Sequence, residues 1–243
     1  MNFWQSARDE LRRCCDLLLP PARLRCGERL PAGLSATDFC PPCRDGLPQP
    51  APARCPLCAD DYRSPAPSLH HCETCLRQPP PFVKVHDVRP YAGTLQDAIQ
   101  RVKYRGRLPL ERPLGTLLAE TVAGGGGSRP DLVAAVPLHK NRLRARGYNQ
   151  ALQLARQVGR HLGVPVAPEL LRRIRDTAAQ QGLDAAARNS NLHGAFTAPR
   201  PVAGRRILLV DDVMTTGATA RECAAVLRKA GAACIEVAVL GRA

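Results

Sequence analysis

The stretch Arg205–Thr219, RRILLVDDVMTTGAT, constrains the fold of this chain more than any other. Ile207 to Val210 is a continuous run of branched apolar residues. Such a run reads as a strand covered on both faces, as in a parallel sheet. Asp211 and Asp212 are expected to stop that strand with two adjacent carboxylates. Thr215, Thr216, Gly217, Ala218 and Thr219 follow, small and rich in hydroxyls. A helical pattern comes next, with Cys223, Val226 and Leu227 on one face and Gly231 as its stop signal. Strand, acidic pair, small-residue loop and helix are the parts with which an α/β sheet presents a phosphate site at the carboxyl end of a strand.

The residues before this stretch read as the rest of such a sheet. Phe82 to Tyr91 is strand-like, with Val83, Val85 and Val88 as candidates for burial. Thr94 can cap a helix that carries Leu95, Ile99 and Val102 and ends in the basic cluster Lys103-Tyr104-Arg105-Gly106-Arg107. A further helix runs from about Leu110 to Val122, and Gly124 to Gly127 form a flexible loop. Leu132 to Val136 is a short strand. It leads into Pro137–Gln150, PLHKNRLRARGYNQ, where Lys140, Arg142, Arg144 and Arg146 crowd a loop. Tyr148 to Leu162 is an amphipathic helix with Leu152, Ala155, Val158 and Leu162 on its stripe. Leu170 to Arg175 is basic again, and Asp176 to Ser190 lacks a core stripe and reads as mobile. Ile235 to Leu240 is the last strand. Alternating strands and helices imply a mostly parallel sheet with right-handed crossovers.

The first third of the chain has a different character. Residues 2–19 can form a helix that Pro20 and Pro21 end. Three CxxC pairs follow: Cys40/Cys43, Cys55/Cys58 and Cys72/Cys75. Thirteen residues separate Cys26 from Cys40, and thirteen separate Cys58 from Cys72. The region therefore reads as two copies of CxxC-x13-CxxC, with Arg23 where the first copy should begin. A CxxC knuckle lets two thiolates converge on one metal, and two knuckles make a tetrahedral S₄ zinc site. Cys55, Cys58, Cys72 and Cys75 form the complete set, although the knuckles could also pair across the copies. The first copy offers Cys26, Cys40 and Cys43. Cys14 or Cys15 could supply a fourth ligand, or the site is degenerate. Redox chemistry is the competing use of CxxC, but repeated pairs without a thioredoxin-like context disfavour it. His70 and His71 flank a filled ligand set and read as surface residues. A small, proline-rich module of this kind draws much of its folding energy from metal. The division expected is residues 1–81 for an N-terminal helix and zinc-ribbon module, and 82–243 for the α/β domain, with Gln78-Pro-Pro-Pro81 as a stiff linker.

Charge narrows the partners. The net charge is +14. Residues 1–84 contribute +2 and residues 85–243 contribute +12, so the basic excess lies with the α/β part. It suits a phosphorylated metabolite or a nucleic acid, and an arginine-rich solvated surface is the plainer account. No apolar run approaches the roughly 18 residues of a membrane span. The N-terminal residues also lack a signal-peptide pattern, so a cytoplasmic address is expected. Eleven cysteines in that setting argue for metal rather than disulfides.

Three readings compete for the central stretch. A Walker-type nucleotide hydrolase requires a GxxxxGK[ST] loop, and the chain contains no Gly-Lys dipeptide. Simple helix capping needs fewer polar groups than two carboxylates and three threonines around a glycine. A sugar-phosphate site uses them all. Thr215 to Thr219 would cradle a 5′-phosphate at a helix N-terminus, and Asp211 and Asp212 would accept hydrogen bonds from ribose hydroxyls.

At this point the residues resemble a family. VDDVMTTGAT is similar to the 5-phosphoribosyl-1-pyrophosphate (PRPP) motif of type I phosphoribosyltransferases. The segments VPLHKNRLRARGYNQ and Lys103-Tyr104-Arg105-Gly106, and the run with Thr177, Gln180, Leu183, Arg188, Asn191 and Phe196, resemble the ComF family of phosphoribosyltransferase-like competence proteins (ComFC-like), which carry an N-terminal zinc region. The resemblance covers nearly the whole chain, and Arg23 is its main departure. It implies an α/β fold with a type I phosphoribosyltransferase-like parallel sheet flanked by helices, plus a small cysteine-rich module. It implies structural Zn²⁺ and, with PRPP, Mg²⁺. Asp211 and Asp212 would serve the ribose and the metal shell, and Thr215, Thr216, Gly217, Ala218 and Thr219 the 5′-phosphate. The loop after Val136 would correspond to the pyrophosphate loop, with Lys140 or Arg142 neutralising the leaving group, Lys103 would belong to the substrate-binding set, and the run Thr177–Arg188 would be a lid. The reaction implied is displacement of pyrophosphate at the ribose anomeric carbon. No residue stands out as a general base, and the acceptor is not identifiable.

The alternative the resemblance implies is a non-catalytic protein of natural transformation that handles single-stranded DNA alongside the competence machinery. Lys103, Arg105, Arg107, Arg142, Arg144 and Arg146 supply charge for it, and Tyr104 and Tyr148 a small stacking platform.

Overall fold

The computed structural model describes residues 39, 41–62, 70–105, 110–176 and 192–243, with the side chains of Tyr104 and Arg105 left aside. Cys14, Cys15, Arg23, Cys26, Cys40, Arg107, Thr177, Gln180, Leu183, Arg188 and Asn191 lie outside these residues.

Four strands form a parallel sheet: β1 (Lys84–Pro90), β2 (Leu132–Ala135), β5 (Arg206–Met214) and β6 (Cys234–Arg242), in the order β1-β6-β5-β2. Val210 of β5 is registered with Ala135 of β2 and Ala238 of β6. Val166 adds a single parallel bridge to Val133 beyond β2. The central strands are apolar on both sides: Ile207, Leu208, Leu209 and Val210 are fully buried, as are Val237, Ala238 and Val239. This double coverage explains their unbroken runs of branched residues. The parallel sheet flanked by helices is the architecture expected.

The helices between the strands are α3 (Gly93–Arg105), α4 (Glu111–Gly124), α5 (Lys140–Arg146), α6 (Gln150–Leu162) and α7 (Ala218–Lys229). They bury Leu95, Ile99 and Val102 from α3, Leu114 and Leu118 from α4, Leu154, Ala155 and Val158 from α6, and Cys223 and Leu227 from α7. α4 and α6 pack against each other and against the sheet, whereas α7 contacts β5, β6 and the short antiparallel pair of β3 (Arg172–Arg173) with β4 (Phe196–Thr197). Cysteine-region helices α1 (Pro41–Asp45) and α2 (Glu73–Arg77) are one turn each.

Several local expectations need correction. Asp211 and Asp212 do not stop their strand; pairing with β6 continues through Met214↔Arg242. Val83 is half exposed, and Phe82 takes the buried position instead. The basic segment after β2 is not all loop. His139 accepts a hydrogen bond from the Asn141 N–H and opens α5, and Gly147, at φ 79°, closes it. Gly147 relieves the chain of the left-handed strain other residues would incur. The buried stripe of α6 is Ala151, Leu154, Ala155 and Val158, and Leu152 and Leu162 lie at its margin.

Candidate functional site

The carboxyl ends of β1, β2 and β5 open into one cleft of about 780 Å³. Asp211, Asp212, Thr215 and Thr219 line it from β5 and the loop that follows. Lys103 reaches it from the end of α3, and Arg142 from α5. Thr216, Gly217 and Ala218 form, with Thr215 and Thr219, a small recess beneath it. Lys140 is exposed on the first turn of α5 and does not line the cleft. Arg146 lines it, whereas Arg144 points to solvent. The Tyr148 hydroxyl donates to the Val102 carbonyl at 2.6 Å, which packs its ring between α3 and α6.

The loop has the geometry of an anion cradle. Gly217 adopts φ 77° as the residue capping α7, and the Ala218 N–H is turned toward Thr216 Oγ1 at 3.4 Å. A left-handed residue at this position aligns the following backbone N–H groups at a helix N-terminus, where the helix dipole favours negative charge. Any Cβ at Gly217 would carry a conformational cost.

The two carboxylates differ. Lys103 Nζ lies 2.9 Å from Asp212 Oδ2, and both side chains are mostly buried. Burial works against the Lys103 charge, but Asp212 and then Asp211 outweigh it and hold the ammonium protonated. Asp211 is enclosed by protein except toward the cleft. Burial first, and then the neighbouring Asp212 charge, push its carboxyl up to about 7. The Asp212 N–H, Lys103 and Arg173 limit that rise. A raised carboxyl beside a second carboxylate is the pattern expected when burial and like charge act together.

Sequence reasoning missed Arg173, Gln150 and Asn149, which also line the cleft. Arg173 comes from β3, a two-residue strand with no periodicity to betray it. Asn149 was legible as a cap: its side chain accepts from the Leu152 N–H and donates to the Val136 carbonyl, fastening α6 to the end of β2.

The second constellation is the complete cysteine set. The sulfurs of Cys55, Cys58, Cys72 and Cys75 all lie within 4.8 Å of one another, and Cys58 Sγ is 3.6 Å from Cys72 Sγ. Zn–S bonds of about 2.3 Å in a tetrahedron require S···S separations of about 3.8 Å, so the donor set fits a zinc-like ion. Among the described cysteines none forms a disulfide. Ala59, at φ 55°, closes the first knuckle, and the Cys55 N–H donates to the Asp60 carbonyl. Burial pushes the Cys58 thiol well up and the Cys75 thiol to about 11. Burial would also raise Cys55, but backbone N–H groups led by that of Cys72 bring it to about 7. Without a cation, four packed sulfurs cannot share the charge that ligation needs. Cys43 of the first copy is buried on α1. His70 and His71 are exposed, with the His70 ring against Tyr62 at 4.4 Å between centroids.

The cluster is bound to the sheet. Arg54, beside Cys55, pairs with the buried Asp87 of β1 at 2.5 Å. Arg242 of β6 donates to the Cys58 carbonyl at 3.3 Å and to Asp60 at 2.8 Å. Arg221 of α7 donates to the Gln78 carbonyl at 2.7 Å.

Comparison with known proteins gives these features a context. Residues 149–242, from the cap of α6 to the end of β6, match the family model described as the phosphoribosyl transferase domain. The chain is 37% identical over 180 residues to Competence protein F of Haemophilus influenzae, covering 71% of this chain and 79% of that protein. It is 37% identical over 175 residues to the DNA utilization protein YhgH of Escherichia coli K12, covering 70% and 77%. Among solved structures, the glutamine PRPP amidotransferase from B. subtilis overlays in part, 25% identical over 51% of this chain and 24% of that one, with a TM-score of 0.35. With its parallel sheet and phosphoribosyl transferase domain, flanked by a four-cysteine cluster compatible with zinc, the chain belongs to the ComF family of Competence protein F and YhgH and has the type I phosphoribosyltransferase fold.

Proposed function

We propose that the cleft binds PRPP, or a closely related phosphorylated ribose, with Mg²⁺. The observation that carries the proposal is the convergence of Asp211, Asp212, Thr215 and Thr219 with Lys103 and Arg142 in one cleft. In this reading the Thr215–Thr219 backbone and hydroxyls take the 5′-phosphate, and Asp211 and Asp212 accept from the ribose 2′- and 3′-hydroxyls. Arg142 and Arg173 neutralise the pyrophosphate. Mg²⁺, bound with the substrate, would supply charge neutralisation to the leaving group. Transfer would break the bond between the anomeric carbon and pyrophosphate and form one to an acceptor. Of the cleft residues, Asp211 is the group whose proton is easiest to exchange near neutrality, because its carboxyl is held at about 7. Residues 82–243 would carry this chemistry, and the preceding cysteine region would carry zinc.

Isothermal titration of the protein with PRPP and Mg²⁺ tests the reading. Binding in the parent, lost in the Asp211→Ala, Asp212→Ala double variant, is the expected result. Unchanged affinity in that variant would show that the ligand sits elsewhere.

A second reading draws on the exposed basic residues Lys140 and Arg144 on α5, beside the cleft. Relatives named for competence and DNA utilization favour a role for this chain in handling single-stranded DNA. An oligonucleotide held by phosphate contacts would lose affinity linearly with the logarithm of salt, and Arg142→Ala with Arg144→Ala would lower that slope by about one to two.

A further inference from the structure

The four-cysteine cluster and the phosphate loop share two arginines. Arg242, at the end of β6, is mostly buried, with its side chain 11% exposed. Its Nε donates to the carbonyl of Cys58, and its Nη2 to Asp60 at 2.8 Å. Its Nη1 turns the other way and donates to the carbonyls of Met214, at 3.3 Å, and Thr215. One guanidinium thus grips a cysteine knuckle with one edge and the first residue of the anion cradle with the other. Arg221 repeats the link one turn into α7. Its backbone N–H donates to the Gly217 carbonyl at 2.9 Å, while its side chain donates to the Gln78 carbonyl and lies 3.8 Å from Cys75 Sγ. The cradle is therefore held at its Thr215 end by the Arg242 guanidinium, and its Gly217 end is joined through the backbone of α7 to a residue whose side chain reaches Gln78 and Cys75. Guanidinium suits this task, because its donors form a rigid planar fork that holds several acceptors in fixed relation.

We infer that Arg242 and Arg221 are positioning residues that make the shape of the phosphate loop depend on the metal-filled cysteine cluster. The inference rests on the sugar-phosphate reading of that loop. It goes further by giving the cysteine module a task in ligand binding. A filled cluster fixes the Cys58 carbonyl and the Cys75 sulfur. Those fixed points hold the two arginines; Arg242 holds the Thr215 end of the cradle directly, and Arg221 anchors the first turn of α7 that carries its Gly217 end. An emptied cluster releases the fixed points, and the loop no longer presents its N–H groups in one arrangement. Coupling between two sites is reciprocal, so a phosphate ligand in the cradle tightens the cluster's hold on zinc by the same factor.

The full chain with zinc bound, its Arg242→Gln variant and its Arg221→Gln variant test this. Zinc content is counted first and is expected to be unchanged, since neither residue is a ligand. Amide hydrogen exchange then reads residues 214–220 directly, without any ligand. Exchange there is expected to rise at least tenfold in Arg242→Gln, while the segment from Cys55 to Cys75 keeps its protection. An unchanged loop in a zinc-loaded variant overturns the inference, whether or not stripped protein stays folded. Titration with PRPP and Mg²⁺ follows. The parent is expected to bind about tenfold more tightly with zinc than after chelation, and Arg242→Gln to lose that dependence. Equal affinity in the zinc-loaded and stripped parent overturns the coupling and leaves the sugar-phosphate site standing. If the zinc-loaded parent binds no PRPP, the reading of the loop as its site fails, and the exchange measurement still decides the link between cluster and loop.

Discussion

Lys103 Nζ sits 2.9 Å from Asp212 Oδ2, so a cation from the end of α3 holds the acidic tip of β5 across the floor of the cleft. Neighbouring Asp211 adds to the attraction that keeps Lys103 charged. Removing this ammonium leaves two adjacent carboxylates with no partner on that side. Lys103→Met is expected to lower stability at pH 7 by about 2 kcal/mol, somewhat below the cost for a fully buried pair. Urea unfolding checks it, and the difference should shrink at a pH low enough to protonate carboxylates.

The raised Asp211 carboxyl gives the cleft a pH signature. A ribose whose hydroxyls donate to it requires the ionised form. With a carboxyl held at about 7, ionisation is incomplete below neutrality and nearly complete above it. PRPP affinity is therefore expected to rise about tenfold between pH 6 and pH 8. Calorimetry in buffers of different ionisation enthalpy should register proton release on binding at pH 6.5. In Asp211→Asn the affinity should be low and flat across the same range.

Metal is expected to be structural at the complete cysteine set. Cys75→Ser removes one sulfur from a cluster whose members lie within 4.8 Å of one another. Elemental analysis should show zinc falling by about one per chain relative to the parent, and thermal unfolding should lose the contribution of the module. Parent protein with far less than one zinc per chain would contradict the S₄ assignment.

Glu111, at the start of α4, lines a small pocket behind Lys103 and Asp212 and offers a stability test. One carboxylate oxygen is buried without a hydrogen-bond partner, and burial raises its carboxyl from 4.5 to about 6. A raised folded-state value favours the protonated form. Its stabilising effect is complete below about pH 4.5 and is lost as pH rises through 6. Glu111→Gln removes that loss. Discounted for solvent screening, the gain at pH 7.5 is on the order of 1 kcal/mol. Thermal melts of the two proteins should converge near pH 4.

The sheet could be read from the chain because its strands are buried on both faces. Ile207–Val210 has no solvent-facing residue to interrupt it, so composition alone marks it. The carboxylates misled for a physical reason. Adjacent charges read as the end of a strand, but backbone pairing does not depend on side-chain polarity once the strand reaches the rim of the sheet, and β5 continues to Met214. Helix α5 was hidden by its lack of an apolar stripe; none of its residues is buried, and only its His139 and Gly147 boundaries mark it. Arg173 was invisible as a cleft residue because β3 is defined by pairing with β4, more than twenty residues away. The CxxC spacing was sufficient to find the four clustered sulfurs, since short knuckles fix their ligands locally. The arginine links from that cluster to the loop are tertiary facts, and no local pattern encodes them.

The order β1-β6-β5-β2 also has a consequence for how the protein is made. The last strand of the sheet to leave a ribosome, β6, lies between the first, β1, and β5. Until it emerges, β1 has no neighbour to pair with, and the inner edge of β5 is open. Both of its partners must wait for residues 234–242, so β1 and β5 join one sheet only after β6 has been made. Long-range closure of this kind is slow and leaves strand edges exposed to other chains. A nascent chain stalled before Cys234 should therefore be a chaperone client, and release of the final strand should bring both halves of the sheet together in one step.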